Sequence, residues 1–295
     1  MDNREKSFVS AVIYVHNCEE RIEPFLTNVL TMLNSNFEHS ELICVNDFSS
    51  DDSVARIKSL LKKVDTALCS VAMVNMSCFH GLELAMNAGL ELSIGDFVFE
   101  FDSTEPDWAM EDAMDVYACA MRGYDIVSAS PDRRQNFTSS LFYKTFRRYS
   151  PMPYEMRTES FRIISRRALN RINGMNASIP YRKAMYASSG LKSCSHVYKQ
   201  TNPRGANPEK DNRRYRFRLA VDTLLLFTDV GYSFSMLMTA VMMIVAVFMA
   251  VYSIVVFAIG NPVEGWTDDH SISLACIFRP FWHIDDGYQI PANIS

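Results

Sequence analysis

Four polar residues that could bind a ligand each follow a short, mostly apolar run of sequence: Asn17, Asn46, Asp47 and Asp102. The runs comprise residues 8–15, 42–45 and 96–101, and their length is typical of buried parallel strands. Ligands of open α/β sheets collect beyond the carboxyl ends of such strands. The pattern therefore predicts that the four residues meet at one edge of a sheet and form a ligand site.

The elements that must position these residues alternate along the chain. Residues 20–33 carry apolar side chains at helical spacing between the first two strands, and a second helix is expected after the loop of residues 49–52. Strands that alternate with helices predict an α/β fold, with a Rossmann-like, mostly parallel sheet and helices on both faces.

Composition argues against several classes of protein. A chain of 295 residues, of which 48% are hydrophobic, can bury one large core or one domain with an appendage. The net charge of -5 argues against a dedicated nucleic-acid-binding protein, which needs clustered basic residues. Seven cysteines without a CxxC pair argue against a disulfide framework and a zinc site. The N-terminus lacks the features of a secretory leader, so we expect the N-terminal part to be cytosolic.

A long segment without charged side chains extends from residue 230 to residue 263. A membrane-spanning helix needs roughly 20 apolar residues, whereas a buried core helix is usually shorter. Upstream, arginines and aromatic residues at 213–218 suit anionic lipid headgroups and predict that the N-terminal domain lies on the cytoplasmic side of the inner membrane. We therefore predict a cytosolic domain (1–212), a basic interfacial helix (213–229) and a transmembrane helix (230–263). For residues 230–263, the alternative to a transmembrane helix is an unusually long buried core helix.

The final segment, residues 264–295, is mixed in character and is predicted to be irregular. One permitted coding of residues 282–290 reads as an apolar segment in a second frame. Our hypothesis is that this tail is the frameshifted remnant of a second membrane helix. Sequencing the gene tests the hypothesis, because it requires an apolar frame in the DNA.

Four blocks of sequence, in this order, match the motifs of one enzyme family. Residues 9–17 look like its opening strand, and V-N-D-F-S-S-D at 45–51 is similar to its V-D-D-G-S-T-D turn. Residues 81–89, followed by Gly95 and Asp96, are similar to its G-K-E-x-A-x-x-A-G stretch and G-D strand start. Residues 161–167 look like its D-F-R-L-x-x-R-R block. The chain resembles the family 2 glycosyltransferases, specifically the dolichyl- or undecaprenyl-phosphate branch.

The resemblance implies a GT-A fold, a nucleotide-sugar donor, a divalent cation (Mg or Mn) and a polyprenyl-phosphate acceptor. The residues that it assigns to the nucleotide are Val15, Asn17, Asn46, Asp47 and Gly81. It assigns the metal to Asp102, since Mg²⁺ and Mn²⁺ prefer hard oxygen ligands. Where the family has D-x-D, this chain reads D-S-T at 102–104, so Thr104 is the expected weak second ligand. Glu105 and Asp107 are the alternatives.

The catalytic residues that the resemblance implies are Asp102, Glu159, Ser160 and Arg162. Ser160 stands where the family has an Asp that orients or deprotonates the acceptor. A phosphate acceptor is already anionic near neutral pH, so positioning can replace a strong base. Arg133, Arg134 and Arg162 would bind the acceptor phosphate, because guanidinium groups pair with phosphate oxygens in bidentate fashion. A solvated basic face is the alternative for Arg133 and Arg134.

The competing hypothesis is a membrane-tethered nucleotide-sugar-binding or scaffold protein with the same fold and an impaired site. Thr104, Ser160 and Cys78 each replace a charged residue of the family and favour this alternative. The retained Asp47 and Asp102 favour the enzyme. The expected partners are the nucleotide sugar, the lipid phosphate and a membrane, with no nucleic acid, and a homo-oligomer is left open.

Overall fold

A computed structural model of the protein describes residues 4–63, 69–132, 159–175, 181–201 and 230–260. The chain divides into two compact units, Met1–Asp229 and Val230–Ser295. The predicted interfacial helix at 213–229 and the predicted tail at 264–295 lie outside the described residues.

The first unit is an α/β domain in the part of the chain that the structure describes. Its strands are β1 (Val9–Val15), β2 (Ser40–Asn46), β3 (Cys69–Asn75), β4 (Phe97–Phe101), β5 (Ile126–Pro131), β6 (Phe161–Ser165) and β7 (Ser193–Tyr198). Its helices are α1 (Glu19–Asn36), α2 (Ser53–Leu61), α3 (Leu82–Leu92), α4 (Met110–Met121), α5 (Arg166–Gly174) and α6 (Arg182–Ser188).

One sheet contains these strands in the order β3-β2-β1-β4-β6-β5-β7. Strands β3, β2, β1 and β4 are parallel, as are β5 and β7, whereas β6 runs antiparallel to both of its neighbours. The predicted α/β fold with a mostly parallel sheet is therefore confirmed. The antiparallel strand was not predicted, and it brings the first residues of β6 beside the end of β4.

Helices pack on both faces of the sheet because successive residues of a strand point to opposite faces. Val9, Ala11 and Ile13 of β1 belong to the core that includes α1 and α4, whereas Val12 belongs to the core that includes α3 and α5. Both faces exclude water, which explains why the strands read as continuous apolar runs and not as an alternating pattern.

Gly89 allows α3 to lie close to the sheet. A Cβ atom at this position would approach Val12 Cγ1 to 2.5 Å and Val45 Cγ2 to 2.6 Å. A larger residue would have to displace the helix, which explains the glycine that ends the block at 81–89.

The second unit contains one helix among its described residues, α7 (Val230–Ile259). Its stretch Gly231–Val256 is long and apolar enough to cross a membrane, and no side chain in that stretch is buried. By length and composition α7 is a candidate membrane span, in agreement with the helix predicted over 230–263. The crossing itself stays a prediction.

Candidate active site

The four polar residues singled out from the sequence lie at one edge of the sheet. They follow the carboxyl ends of three adjacent strands, in the spatial order β2, β1 and β4. Asn46 pairs with Val15 in the register of β1 and β2, and Asn17 lies two residues beyond Val15. The predicted convergence is confirmed, and the individual binding roles stay predictions.

Asp47 is fully buried and holds the loop between β3 and α3. Its Oδ1 accepts a hydrogen bond from the His80 backbone N–H (2.8 Å), and its Oδ2 accepts from the Gly81 N–H (2.8 Å) and the Tyr14 hydroxyl (3.0 Å). Gly81 has a φ of 84°, which residues with side chains rarely adopt. Asp47 and Gly81 together fix the start of α3.

The two asparagines hold the neighbouring loops. Asn46 donates to Asn75 Oδ1 (3.0 Å) and accepts from the Ser49 backbone N–H (3.0 Å). Asn17 Oδ1 accepts from the Ser50 backbone N–H (2.9 Å). These bonds connect the ends of β1, β2 and β3, so the part of the edge predicted to bind the nucleotide is held together by its own polar side chains.

Two residues at this edge have backbone conformations that are rare for residues with side chains. Asn17 has a φ of 46° and Phe48 a φ of 56°. Asparagine tolerates the left-handed region, but a bulky side chain there is strained, and strain of this kind is concentrated at functional sites. Phe48 is 56% exposed, so packing does not explain its position.

An aromatic surface borders the same edge. The ring centroids of His16 and Phe79 lie 4.8 Å apart, and Phe79 is 52% exposed. We call His16, Phe48 and Phe79 the aromatic rim. Exposed rings of this kind can stack on a planar base, and the sequence analysis did not identify His16 or Phe79.

Asp102 is held by two buried arginines. Its Oδ2 accepts a hydrogen bond from Arg162 Nη2 (2.9 Å), and its Oδ1 accepts from Arg182 Nη2 (2.7 Å). Both arginine side chains are 1% exposed, whereas the Asp102 side chain is 18% exposed. We call Asp102, Arg162 and Arg182 the guanidinium clamp.

The clamp keeps Asp102 ionised. Burial by itself would raise the pKa of this carboxyl group, but the charges of Arg182 and Arg162 outweigh burial and lower the pKa to about 2. The carboxylate is therefore charged at neutral pH, and it presents hard anionic oxygens at the end of β4.

Two further carboxylates, Glu83 and Glu100, pair with Arg182. Arg182 donates to Glu83 Oε2 through Nε (2.9 Å) and to Glu100 Oε2 through Nη1. Glu100 also accepts from the Tyr186 hydroxyl (2.6 Å) and from Arg162 Nη1 (3.3 Å). Burial raises the pKa of Glu100 despite the neighbouring arginines. Arg182 is thereby anchored to both α3 and β4.

The antiparallel course of β6 explains how Arg162 reaches Asp102. Strand β6 starts beside the end of β4, with Arg162 opposite Glu100. Glu159, just before β6, lies with its Oε2 3.2 Å from Arg162 Nε in an ion pair. The structure therefore brings together three of the four predicted catalytic residues: Asp102, Glu159 and Arg162.

Ser160, the fourth, belongs to a separate chain of hydrogen bonds. The Tyr198 hydroxyl donates to Asp107 Oδ1 (2.6 Å), so Ser160 donates its single hydroxyl proton to Tyr198 (2.5 Å). Gln200 also donates to Asp107 (2.9 Å). Ser160 is engaged here as a donor, and its role in catalysis stays a prediction.

Asp102 is the residue of this strand end that fits a metal ligand. Thr104 is buried and hydrogen-bonds to Cys18, Glu105 pairs with a partly exposed arginine of α1, and Asp107 is held as described above. Small hard cations keep several waters and are held by one or two carboxylates together with substrate phosphates. Among the described residues of this strand end, Asp102 is an ionised, 18% exposed carboxylate that could serve as such a ligand of Mg or Mn. Thr104 stays a predicted second ligand.

Two further groups bear on ligand binding. Arg133 and Arg134, predicted to bind the acceptor phosphate, lie outside the described residues.

A second group of possible metal ligands consists of Asp112, Asp115 and His196, which place one ligand atom each within 4.8 Å of one another. Asp112 there already accepts from a backbone N–H at the start of α4 (2.8 Å), so this second group is partly occupied.

Sequence analysis did not assign Glu100, Arg182 or Tyr186 to the site. The sequence does indicate that Glu100 has a buried partner, because a charged residue inside a mostly apolar strand needs one. The sequence does not indicate that this partner is Arg182, which is separated from Glu100 by 82 positions and reaches it only through the fold.

Comparison with known proteins shows which family the chain resembles. Residues 10–105, which contain β1 to β4 and the strand ends up to Asp102, match the model of glycosyl transferase family 2. By this match the chain is similar to glycosyl transferase family 2. Most of the edge described above lies in the matched segment, whereas Glu159, Arg162 and Arg182 lie beyond it.

Two relatives agree with this assignment. An uncharacterized glycosyltransferase of Synechocystis is 27% identical over 230 residues, which are 75% of this chain and 69% of that protein. The undecaprenyl-phosphate 4-deoxy-4-formamido-L-arabinose transferase of Aeromonas hydrophila is 30% identical over 145 residues, which are 49% of this chain and 42% of that enzyme. The match to this second relative thus spans less than half of its length.

Solved structures share the fold of this chain. A mannosyltransferase of Pyrobaculum calidifontis, in complex with GDP-Man and Mn²⁺, has a TM-score of 0.55 and 15% identity over 95% of this chain and 83% of its own. The glucosyl-3-phosphoglycerate synthase of Mycobacterium tuberculosis, in complex with Mn²⁺, UDP and phosphoglyceric acid, has a TM-score of 0.56 and 14% identity over 74% and 78%. The predicted GT-A fold is confirmed.

Proposed function

We propose that this glycosyltransferase moves a sugar from a nucleotide-sugar donor to a polyprenyl-phosphate or other lipid-linked acceptor, in the synthesis of cell-surface polysaccharide or glycolipid. The observation that carries the proposal is the guanidinium clamp, which presents an ionised Asp102 at the end of β4. Ligands of such sheets bind at this edge, and transfer from a sugar nucleotide requires charge stabilisation at the departing diphosphate.

The donor base and ribose are placed against the ends of β1 and β2. Asn17, Asn46 and Asp47 hold the loops there, and the strained, exposed Phe48 stands at their border. We place the base on the aromatic rim, which leaves the diphosphate directed along the edge towards Asp102. Val15 and Gly81 contribute as the backbone positions that fix the two loops.

The diphosphate is placed beside Asp102 together with a divalent cation, Mg or Mn. When bound, such a cation neutralises charge that develops on the departing diphosphate. The chain's own contribution is to hold Asp102 ionised and immobile through Arg162 and Arg182. The two solved structures named above contain Mn²⁺, which supports a cation in this fold but does not select between the two metals.

The acceptor phosphate is placed on the side of β6. Lys183 lies 3.8 Å from Glu159, and both belong to the charged surroundings of Arg162. Arg133 and Arg134 remain the proposed phosphate ligands. Arg162 is enclosed by three carboxylates, so it would have to release one of them to bind the phosphate directly. An anionic acceptor needs orientation more than it needs a base.

A membrane location is supported by two observations. Helix α7 has the length and composition of a membrane span, and the Aeromonas relative is named for an undecaprenyl-phosphate substrate. We place the first unit at the cytoplasmic face of the inner membrane, where nucleotide sugars and the phosphate groups of polyprenyl lipids would meet.

The test is transfer of a radiolabelled sugar by the full-length chain in detergent with undecaprenyl phosphate, Mn²⁺ and a panel of UDP- and GDP-sugars. We expect a lipid-linked product with at least one donor. Asp102→Asn should lower the rate about 100-fold, because it removes the carboxylate proposed to hold the cation that stabilises the departing diphosphate. The matched control is Asp52→Asn, which alters an exposed carboxylate of a neighbouring loop.

The outcomes separate the proposal from its alternative. Donor binding in calorimetry, without transfer to any polyprenyl phosphate, would support the scaffold hypothesis, for which the missing carboxylate at Thr104 is the structural argument. Neither binding nor transfer with any donor would contradict both.

A further inference from the structure

We propose that Arg182 is a positioning residue that makes binding of a divalent cation at Asp102 depend on the donor diphosphate. The inference rests on the proposed function, because it concerns the order in which the same site fills. Without a donor, the guanidinium group of Arg182 donates a hydrogen bond to the Asp102 carboxylate and thereby competes with a cation for it. With the donor, the diphosphate supplies the negative charge that allows a cation to enter beside the clamp.

Arg182 is locked in its position by the residues around it. Its backbone N–H and its Nε both donate to Glu83 Oε2, at 3.0 and 2.9 Å, and its Nη1 donates to Glu100. Its remaining nitrogen, Nη2, donates to Asp102 Oδ1 at 2.7 Å. The side chain is 1% exposed, and any movement would leave buried carboxylates without a counter-charge. The guanidinium group therefore stays next to Asp102 when ligands arrive.

The charges that touch Asp102 are unfavourable for a free cation. Both carboxylate oxygens already accept charge-assisted hydrogen bonds from guanidinium groups, one from Arg162 and one from Arg182. The position that would supply a second carboxylate in D-x-D is Thr104, which adds no charge. A divalent ion at this carboxylate would face two fixed positive groups at close range, and like charges repel most strongly where water is scarce.

The carboxylates that balance the arginines, including Glu159 beside Arg162, offset part of this repulsion from inside the domain. Glu83 and Glu100 contact Arg182 through Nε and Nη1, and their side chains are 6% and 0% exposed, so neither is available to a ligand at the surface. A nucleoside diphosphate carries several negative charges and would arrive at the exposed side of Asp102. Cation and diphosphate should therefore bind as a pair.

A purely structural role for Arg182 and the proposed role predict opposite changes in Mn²⁺ affinity when the residue is removed. If the residue only held the site together, its removal would weaken cation binding. If it competes with the cation for Asp102, its removal should strengthen binding of Mn²⁺ alone. The sign of the change distinguishes the two roles.

The experiment is titration of the full-length protein in detergent with Mn²⁺, with free Mn²⁺ measured by electron paramagnetic resonance, without nucleotide and then with UDP or GDP. For the wild type we expect weak binding of Mn²⁺ alone and binding about tenfold tighter or more with a nucleotide that fits. Arg182→Gln should bind Mn²⁺ alone about tenfold tighter than the wild type and should depend less on nucleotide.

Three variants serve as controls. Asp102→Asn identifies Mn²⁺ bound elsewhere, including at Asp112, Asp115 and His196. Lys58→Gln removes the same formal charge from an exposed position of α2 and should leave Mn²⁺ binding unchanged. Arg182→Lys keeps the positive charge, although not all three guanidinium contacts, and should bind Mn²⁺ alone less tightly than Arg182→Gln.

Unchanged or weaker Mn²⁺ binding by folded Arg182→Gln would overturn the inference. If that variant does not fold, as judged by circular dichroism, Arg162→Gln removes the other guanidinium group of the clamp and is expected to act in the same direction. The arm without nucleotide decides the inference by itself. Absence of UDP and GDP binding by the wild type would instead count against the proposed function.

Discussion

Two aspartates at the same edge of the sheet are held in opposite ways. Asp47 follows β2 and is surrounded by two backbone N–H groups and a tyrosine hydroxyl, all of them neutral. Asp102 follows β4 and is surrounded by two guanidinium groups. The first carboxylate fixes a loop, whereas the second is part of a buried network of charges. The position of an Asp at a strand end therefore predicts a site, but its partners decide what the residue can do there.

The largest loss of stability should come from removing one of the two arginines of the buried charge network. Arg182→Met removes the described cationic partner of Glu83 and one of the two guanidinium partners of Glu100 and Asp102, so we expect it to lower the free energy of unfolding by about 3–5 kcal/mol. The measurement is thermal or denaturant unfolding of the full-length chain in detergent. Arg21→Met, which breaks an ion pair at the surface, should cost about 1 kcal/mol or less. Equal effects of the two substitutions would contradict the description of the network.

Because the partners of Asp47 are neutral, a substitution of this residue should cause a smaller loss of stability. In Asp47→Asn one carboxylate oxygen becomes an NH₂ group that cannot accept, so at least one of its three donors loses its partner. We expect a loss of about 1.5–3 kcal/mol in the same unfolding experiment, together with weaker donor binding in calorimetry. Asp52→Asn, at an exposed position, is the control and should be nearly neutral. A neutral Asp47→Asn would show that the loop is fixed by other contacts.

The pH dependence of stability sharpens the comparison at Asp102. Its folded pKa of about 2 lies below the ordinary value of 3.8, so the ionised carboxylate stabilises the folded state above pH 3.8. This contribution, about 2 kcal/mol, is lost as the pH falls from 3.8 through 2. The unfolding free energies of the wild type and Asp102→Asn should therefore differ by a constant amount between pH 5 and 7 and converge below pH 4. A difference that does not depend on pH would be inconsistent with the clamp.

The smallest effect on stability is expected at Phe48, the strained residue that follows Asp47. Phe48→Asn places a residue that tolerates the left-handed conformation at a φ of 56°, so stability should rise by about 0.5–1 kcal/mol. Donor binding should weaken at the same time if the ring contacts the base. A gain in stability with unchanged donor affinity would remove Phe48 from the aromatic rim.

The fold could be predicted from the sequence where local signals were strong. Continuous apolar runs at β1, β2 and β4 predicted buried parallel strands, and their polar ends predicted the edge of the site. These signals are local because a strand buried on both faces must be apolar throughout. Helix α1 was likewise predicted from its helical spacing, although it extends beyond the predicted residues 20–33 to Glu19–Asn36.

The charged half of the site could not be predicted in the same way. Arg162 was proposed from a motif, but its contact with Asp102 depends on the antiparallel pairing of β6 with β4. Arg182 carries no local signal, since an arginine at the start of a short helix is ordinarily at the surface. Only the three-dimensional arrangement shows that four carboxylates and two arginines share one buried volume.

The most direct test of the central claim, that Asp102 marks the site of the donor diphosphate, is a crystal of the full-length protein grown with Mn²⁺ and a nucleoside diphosphate. Anomalous scattering locates Mn²⁺ without reference to any assumed ligand. We predict a Mn²⁺ peak within coordinating distance of an Asp102 oxygen, with the diphosphate on its other side and Arg182 still in place. A bound nucleotide whose Mn²⁺ lies elsewhere, for example at Asp112, Asp115 and His196, would contradict the claim.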